Sequence, residues 1–253
     1  MPNTVISTIL ARKSVRKFTN RKLTDEVIQE IVRAGQQAPF AGQLCSVILS
    51  RKRKQPMGAP IMFTICFDMH RMELIMAKRG WKTVANDLSM MLFGIQDAAY
   101  LAENMVIAAE SLGLGSCYLG NAPFVAKNLQ KLYKLPQRVF PIVQLIMGYP
   151  AEEYPTRPRY PYDFSCFEET YPELTDEMVT DAMKVMDDGY LAQGYYKRQH
   201  AKIPLENHRK ETFTYDNYSW TEHISRKWGQ WMRDPKEILA QFEKCGFKIG
   251  ESR

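Results

Sequence analysis

The sequence predicts a single domain mixing helices with short strands and closed by an extended C-terminal arm. Three observations support this. Apolar residues recur at helical spacing in several long windows. Between them lie short β-prone runs bounded by glycine and proline. After Pro150 the composition changes, as Pro150, Pro155, Pro158 and Pro161 interrupt a tyrosine-rich, basic stretch that cannot be a helix. At 253 residues the chain is long enough to bury a sizeable core. We expect one domain over 1–253, with a core over about 1–150 and an arm with a helical extension over 151–253 that suits wrapping a partner subunit.

The first 38 residues read as two helical pieces around a basic turn. Thr24-Asp25-Glu26 opens the second with an acceptor side chain and two acids, which suits the positive end of a helix dipole. Val27, Ile28, Ile31, Val32 and Gly35 follow at helical spacing, ending before Pro39. Ser46 to Leu49 and Ile61 to Phe67 are strand-like, joined by a basic connection from Arg51 to Gly58 that reads as a solvated loop. From Asp97 to Leu112, alanines and apolar residues give a helix with little polar surface, expected to be buried centrally. Gly113 and Gly115 end it. Ser116 to Gly120 follows as a strand or turn, Phe124 to Leu132 as a shorter helix, and Pro141 to Pro150 as a central strand. Further helices are predicted from Asp176 to about Tyr190, Thr221 to Trp231 and Pro235 to Cys245.

Composition narrows the function classes. Apolar residues make up 45% and charged residues 25%, ordinary for a globular protein. No apolar run approaches the roughly 20 residues needed to span a bilayer. The first residues, Met-Pro-Asn-Thr-Val-Ile-Ser, lack the regions of a secretory signal. The expectation is a cytoplasmic protein with no membrane partner. The five cysteines (Cys45, Cys66, Cys117, Cys166, Cys245) are scattered without a C-x-x-C pair, so each reads as a small buried hydrophobe. The net charge of +6 comes from short local groups, with no recognised nucleic-acid module among them. A phosphorylated small molecule accounts for such clusters equally well, and no nucleic-acid partner is expected.

The search for chemistry begins with absences. No Gly-x-Gly-x-x-Gly joins a strand to a helix, and no Walker-type loop is present. No Gly-x-Ser-x-Gly elbow occurs, and His70, His200, His208 and His223 lack metal-ligand spacing. Two basic motifs remain. In Arg12-Lys13-Ser14-Val15-Arg16, an extended backbone would point Arg12, Ser14 and Arg16 one way, as a phosphate or a polar ring edge requires; an isolated occurrence would be a solvated turn. In Arg157-Pro158-Arg159 the proline stiffens the chain so that two guanidiniums could clamp one phosphate; alone, it is also a plain linker.

Taken in order, five segments carry a family resemblance: R-K-S-V-R-K-F-T, then A-P-F-A-G-Q-L-C-S, then D-A-A-Y-L-A-E-N-M-V-I-A-A-E-S-L-G-L-G-S-C-Y-L-G-N, then L-P-Q-R-V-F-P-I-V-Q-L-I-M-G-Y-P, then R-P-R-Y-P. The chain resembles the FMN-dependent nitroreductases and flavin reductases, closest to the larger, NADPH-preferring, oxygen-insensitive branch. The similarity runs from about Arg12 to Pro161 and more loosely through Tyr195-Tyr196-Lys197-Arg198 and Trp220 to Ile224.

The resemblance implies an α+β fold, an antiparallel-rich central sheet flanked by helices, assembled as a homodimer with FMN at each subunit interface. It places Lys13, Ser14 and Arg16, with Arg12 adjacent, at the FMN phosphate and ring edge, and Arg157 and Arg159 at the same phosphate. Tyr118, Leu119, Gly120 and Asn121 pass a flavin face. Two departures stand out. Phe40-Ala41-Gly42-Gln43 replaces the family's serines and amide, so that Gln43 supplies the amide while Phe40 and Ala41 offer backbone groups. The stretch from Ser50 to Ala59 is shorter than in the nearest branch, lacking a helix and a flavin-contacting polar residue.

The implied activity is transfer of two electrons from NADPH or NADH, through FMN, to a small-molecule acceptor such as a nitroaromatic, a quinone or free flavin, with ping-pong kinetics. No acid-base side chain is required, so no catalytic residue and no metal is named. Lys197, Arg198, Lys202, His208 and Arg209 are candidates for a 2′-phosphate, with Arg198 favoured by the family match; such residues are as often merely solvated. The segment around Met69 to Asn86 reads as an acceptor loop. The alternative is a non-catalytic flavin-binding or redox-regulatory protein on the same fold.

Overall fold

The computed structural model of the chain describes residues 3–207, 209–231 and 234–249. They divide into two compact units, one running to Tyr154 and resuming at Asp234, the other formed by the residues between.

The first unit is built on four antiparallel strands in the order β1-β2-β4-β3: β1 (Cys45–Ser50), β2 (Ile61–Asp68), β3 (Gly115–Leu119) and β4 (Val139–Gly148). The expected strands at 46–49, 61–67, 116–120 and 141–150 are thus all present. The interior strand β2 is buried along its whole length, which explains why its residues from 61 to 67 are apolar on both faces except Thr64. Its side chains alternate: Ile61, Phe63 and Ile65 enter one core cluster, whereas Met62 joins another with Val15, Phe18 and Ile146. A register shift at Ile65/Cys66 accommodates Pro141 in an interior strand, where it otherwise could not sit.

Helices cover the sheet. In α2 (Asp25–Gln36), Thr24 accepts a hydrogen bond from Val27 N (3.4 Å), and Ile28, Ile31 and Gly35 are buried. They pack with Leu101, Ala102, Met105 and Val106 of α4 (Asp87–Ser111). Burial of each large aliphatic side chain contributes about 1.5–3 kcal/mol. A Cβ on Gly35 would lie 2.6 Å from Met105 Cγ and 3.1 Å from the Leu101 carbonyl oxygen. Glycine here is a helix-packing requirement.

Two sequence expectations need correction. The central helix begins at Asp87 rather than Asp97, capped by Asn86, whose side chain accepts from Ser89 N at 2.8 Å. Its first turns expose Leu88, Leu92, Phe93 and Ile95, so no inward apolar stripe marks them. The segment read as an acceptor loop contains a helix, α3 (His70–Lys78), which has no side-chain cap to announce it. A smaller difference concerns Cys166, which is exposed rather than buried.

The connection after Ser50 holds a 3-10 turn, Pro56–Gly58. The buried Gln55 amide is spent inside that turn, donating to the Ser50 (3.3 Å) and Arg53 (2.9 Å) carbonyls. The shorter helix after β3 is α5 (Ala126–Tyr133), preceded by a 3-10 turn at Ala122–Val125. The last segment, carrying the expected C-terminal helix, belongs to the first unit rather than to the arm. Phe242 and Phe247 pack against Phe140 and Phe67, with centroids 3.9 and 5.0 Å apart.

The second unit carries α6 (Asp176–Ala192), the five-residue α7 (Tyr195–Gln199) and α8 (Trp220–Gln230). Tyr196 and Tyr218 are buried, and His223 stacks on Tyr196 with centroids 4.6 Å apart. Tyr218 Oη accepts from Ile203 N (3.0 Å) and lies within hydrogen-bond distance of His223 Nδ1 at 3.1 Å. His223 is held neutral: burial, then Lys227, pushes its pKa below the usual 6.5. A depressed histidine pKa adds stability that is full above the unfolded value and lost as pH falls from there through the lower, folded value. Melting followed by near-UV circular dichroism should therefore show a lower midpoint at pH 5 than at pH 7.5. His223→Phe should flatten that difference; an unchanged pH dependence would refute the assignment. Among the described residues, no helix is long and apolar enough to cross a membrane.

Candidate flavin site

The cationic motif is an extended strip docked against β3. Val15 N donates to the Ser116 carbonyl at 2.8 Å, and Ser14 forms an isolated bridge with Ser116. Val15 faces inward, 1% exposed, while Arg16 is exposed. This approach needs Gly115, where a Cβ would sit 2.3 Å from Val15 Cγ2.

Two groups of the core feel the strip's charges. Burial pushes the Cys117 thiol up, and Arg16, the Ser14 hydroxyl and Arg12 pull it back. These are the residues expected to share a side. At Glu110, burial raises the carboxyl while Lys13 and then Arg12 oppose it. The buried Glu110 Oε1 has no hydrogen-bond partner among the described residues. Tyr118 turns toward α4, its hydroxyl donating to Glu103 Oε2 at 3.2 Å. Burial, then Glu103, raises its pKa. Arg12, Ser14 and Arg16 thus act on Cys117 of β3, Lys13 acts with Arg12 on Glu110, and Arg12 alone of the strip acts on Tyr118. Leu119 packs on the cluster beneath the strip. Gly120 borders open space, and Asn121 accepts from Phe124 N at 3.1 Å.

Phe40, Ala41 and Gln43 lie at another place in the first unit. Phe40 and Gln43 line a cavity of about 500 Å³ with Gln36, Ser46, Arg71 and Asp97. Asp97, only 2% exposed, accepts from Ala41 N (2.7 Å), Gly42 N (3.2 Å) and Leu44 N (2.8 Å). The Ala41 backbone donor is thus already engaged. Gln43 adopts a left-handed backbone, φ 50°, which a side chain with a Cβ rarely takes. Arg71 holds the carbonyl side, donating to Gln43 O (3.1 Å) and Cys45 O, and pairs with the buried Asp68 at 3.1 Å. Burial, then Asp97, pushes the Cys45 thiol up to about 11, leaving it unreactive at neutral pH.

Sequence reasoning missed Asp97 and Arg71 as parts of this arrangement. One signal was available: a single acid opening an apolar, alanine-rich helix needs donors if it is buried.

The other basic residues belong to the second unit. The Arg157 guanidinium lies over the Tyr195 ring (4.2 Å to the centroid) and donates to the Gln193 side chain. Arg159 is exposed, with Nη1 donating to the Arg157 (3.0 Å) and Pro158 (2.9 Å) carbonyls. Lys197 pairs with Asp216 (2.7 Å) and Lys202 with Glu211 (3.2 Å). Arg198 is exposed and enters no ion pair among the described residues. His208 lies outside the described residues.

A four-stranded antiparallel sheet flanked by helices, with a cationic strip docked against β3 and a cavity beside β1, defines an α+β protein. The Nitroreductase family model matches residues 9–55 and 47–149, and the chain belongs to that family. An FMN reductase (NADPH) of Bacillus subtilis is 32% identical over 192 residues, covering 69% of this chain and 77% of its own. An FMN reductase [NAD(P)H] of the same organism is 29% identical over 264 residues, 98% of this chain and 99% of its own. The solved structure of the hypothetical oxidoreductase YcnD from Bacillus subtilis superposes with a TM-score of 0.82 at 28% identity, covering 99% and 100% of the two chains.

Proposed function

We propose that the chain is an FMN-dependent oxidoreductase that passes two electrons from NADPH or NADH to small electrophilic acceptors such as nitroaromatics, quinones or free flavin. The observation that carries this is the Arg12–Arg16 strip, three cations and a hydroxyl in five residues docked on β3 through Ser116, in a chain of this family.

The residues present fit the group. Charge-assisted donors from Lys13, Ser14 and Arg16, with Arg12 adjacent, match a phosphate. Arg157 and Arg159 are proposed for the same phosphate, and Tyr118, Leu119, Gly120 and Asn121 for a ring face. The Phe40–Gln43 loop offers one side-chain amide beside a cavity large enough for a planar ring. FMN, when bound, supplies the two-electron chemistry. The chain's share is to anchor the phosphate, orient the ring, exclude water and admit donor and acceptor in turn. One pocket serving both predicts parallel double-reciprocal lines across a panel of acceptors in NADPH oxidation; intersecting lines contradict it.

A homodimer is part of this reading. The cavity beside Phe40 and Gln43 includes none of the Arg12–Arg16 residues, so a second copy would complete each site. Val5, Ile6 and Leu10 of α1 (Thr4–Ala11), with Leu92 and Phe93 of α4, are exposed apolar side chains suited to such an interface. A strictly monomeric species in sedimentation equilibrium would rule it out.

Arg198 is proposed for the 2′-phosphate of NADPH. Arg198→Ala should raise KM for NADPH on the order of tenfold, as expected for one lost charge-assisted contact, and leave NADH use unchanged. An unchanged NADPH/NADH ratio would reject the role.

A further inference from the structure

The Phe40–Cys45 loop is gripped from two sides by groups of opposite charge. The Asp97 carboxylate takes the N–H groups of Ala41, Gly42 and Leu44, and the Arg71 guanidinium takes the carbonyls of Gln43 and Cys45. The Gln43 N–H is outside the carboxylate's set. The residue between the two grips sits at φ 50°, which is costly for glutamine. A left-handed non-glycine residue persists only where its surroundings over-determine it. Here the surroundings are anchored deeply: Asp97 is 2% exposed, and Leu44 is 2% exposed with its carbonyl accepting from Asp68 N at 2.9 Å. The unusual backbone is therefore imposed on Gln43 by its neighbours, and Gln43 lines the cavity beside the loop.

We infer that Asp97 and Arg71 are positioning residues for the flavin: they hold Gln43 in its left-handed conformation so that its amide is presented to the cavity. This rests on the flavin reading above. It assigns a function to a buried carboxylate whose removal would otherwise look like a loss of stability alone. It also divides the loop's donors, because three of its N–H groups face the carboxylate and the Gln43 amide is left for a ligand.

Asp97→Asn is nearly isosteric, but its NH2 group must face at least one backbone N–H now bound by a carboxylate oxygen. The loop then loses part of its grip and Gln43 can leave the left-handed region. FMN dissociation constants measured by fluorescence titration of the apoprotein should show weakening on the order of tenfold in Asp97→Asn, the size of one or two lost charge-assisted hydrogen bonds. Gln43→Ala should weaken FMN comparably. Because Asp97 acts through Gln43, the double variant should bind about as weakly as Gln43→Ala alone. Arg71→Met removes a half-exposed side chain and leaves the buried Asp68 with the Arg71 N–H (3.1 Å), at some cost in stability; its cycle with Gln43→Ala, measured on the folded variant, decides the matter if Asp97→Asn does not fold.

Two results overturn the inference. One is wild-type-like FMN affinity in Asp97→Asn and Arg71→Met. The other is independent, multiplying effects of either change with Gln43→Ala, which mark a merely structural role. If the wild-type protein binds no FMN, the flavin reading itself fails and takes this inference with it, a result distinct from both.

Discussion

Arg138→Met should lower the free energy of unfolding by about 3–5 kcal/mol, the cost of stranding a buried carboxylate. Arg138 Nη1 and Nη2 grip both oxygens of Asp87 at 2.8 and 2.7 Å, and Nε reaches Glu73 at 2.8 Å. The Asp87 side chain is 1% exposed, and that of Arg138 is 11% exposed. The same guanidinium donates to the Gly246 carbonyl (3.0 Å) and lies over the Phe247 ring at 4.5 Å, while Lys248 N donates to Asp87 (2.7 Å). One side chain therefore ties α3, the start of α4 and the returning C-terminal segment to the approach to β4. Without it, Asp87 keeps a charge with fewer partners, and the tail loses its anchor. Urea denaturation measures the change directly. A loss below about 1 kcal/mol would contradict the account. The double variant Arg138→Met/Asp87→Leu should recover much of the loss, because it removes both charges together.

Arg16→Ala should weaken FMN binding by about ten- to a hundredfold, the value of a lost charge-assisted phosphate contact, and leave the melting midpoint unchanged. The stability expectation follows from exposure, since Arg16 is open to solvent while the neighbouring Val15 is buried. The affinity expectation follows from the strip's place, since Arg16 lies on the extended segment docked on β3 through Ser116, with Arg12, Lys13 and Ser14 beside it. Equal FMN affinity in the variant and the wild type would remove the strip from the cofactor site. A parallel fall in stability would mark Arg16 as a packing residue instead.

Much of this architecture was legible because local signals agree with the fold. Thr24 followed by two acids marks α2 and caps it. The run of 61–67, apolar but for Thr64, marks an interior strand, and β2 is buried throughout. The cationic strip was legible as composition, and its extended backbone beside Ser116 explains why alternate residues serve one side. Other features had no local signature. The first turns of α4 expose Leu88, Leu92 and Phe93 while Met90 and Met91 pack on the core, so their apolar residues fall on both sides and give no single inward stripe. Asp97 meets its donors across more than fifty positions, as Ala41 and Leu44 lie 56 and 53 residues away. The C-terminal return depends on Lys248 reaching Asp87 across 161 positions. A single sequence read by period and motif carries the helix or strand, but not the distant partner that gives a buried charge its role.

The central claim is that FMN binds and is reduced by a nicotinamide. The most direct measurement is the visible spectrum of the apoprotein mixed with FMN, freed of unbound flavin, then treated with NADPH without oxygen and afterwards with a quinone. The account predicts retained flavin absorbance that bleaches with NADPH and returns with the quinone. A protein that retains no flavin would contradict it, and one that retains flavin unbleached by either NADPH or NADH would leave a flavin binder with no reductase activity.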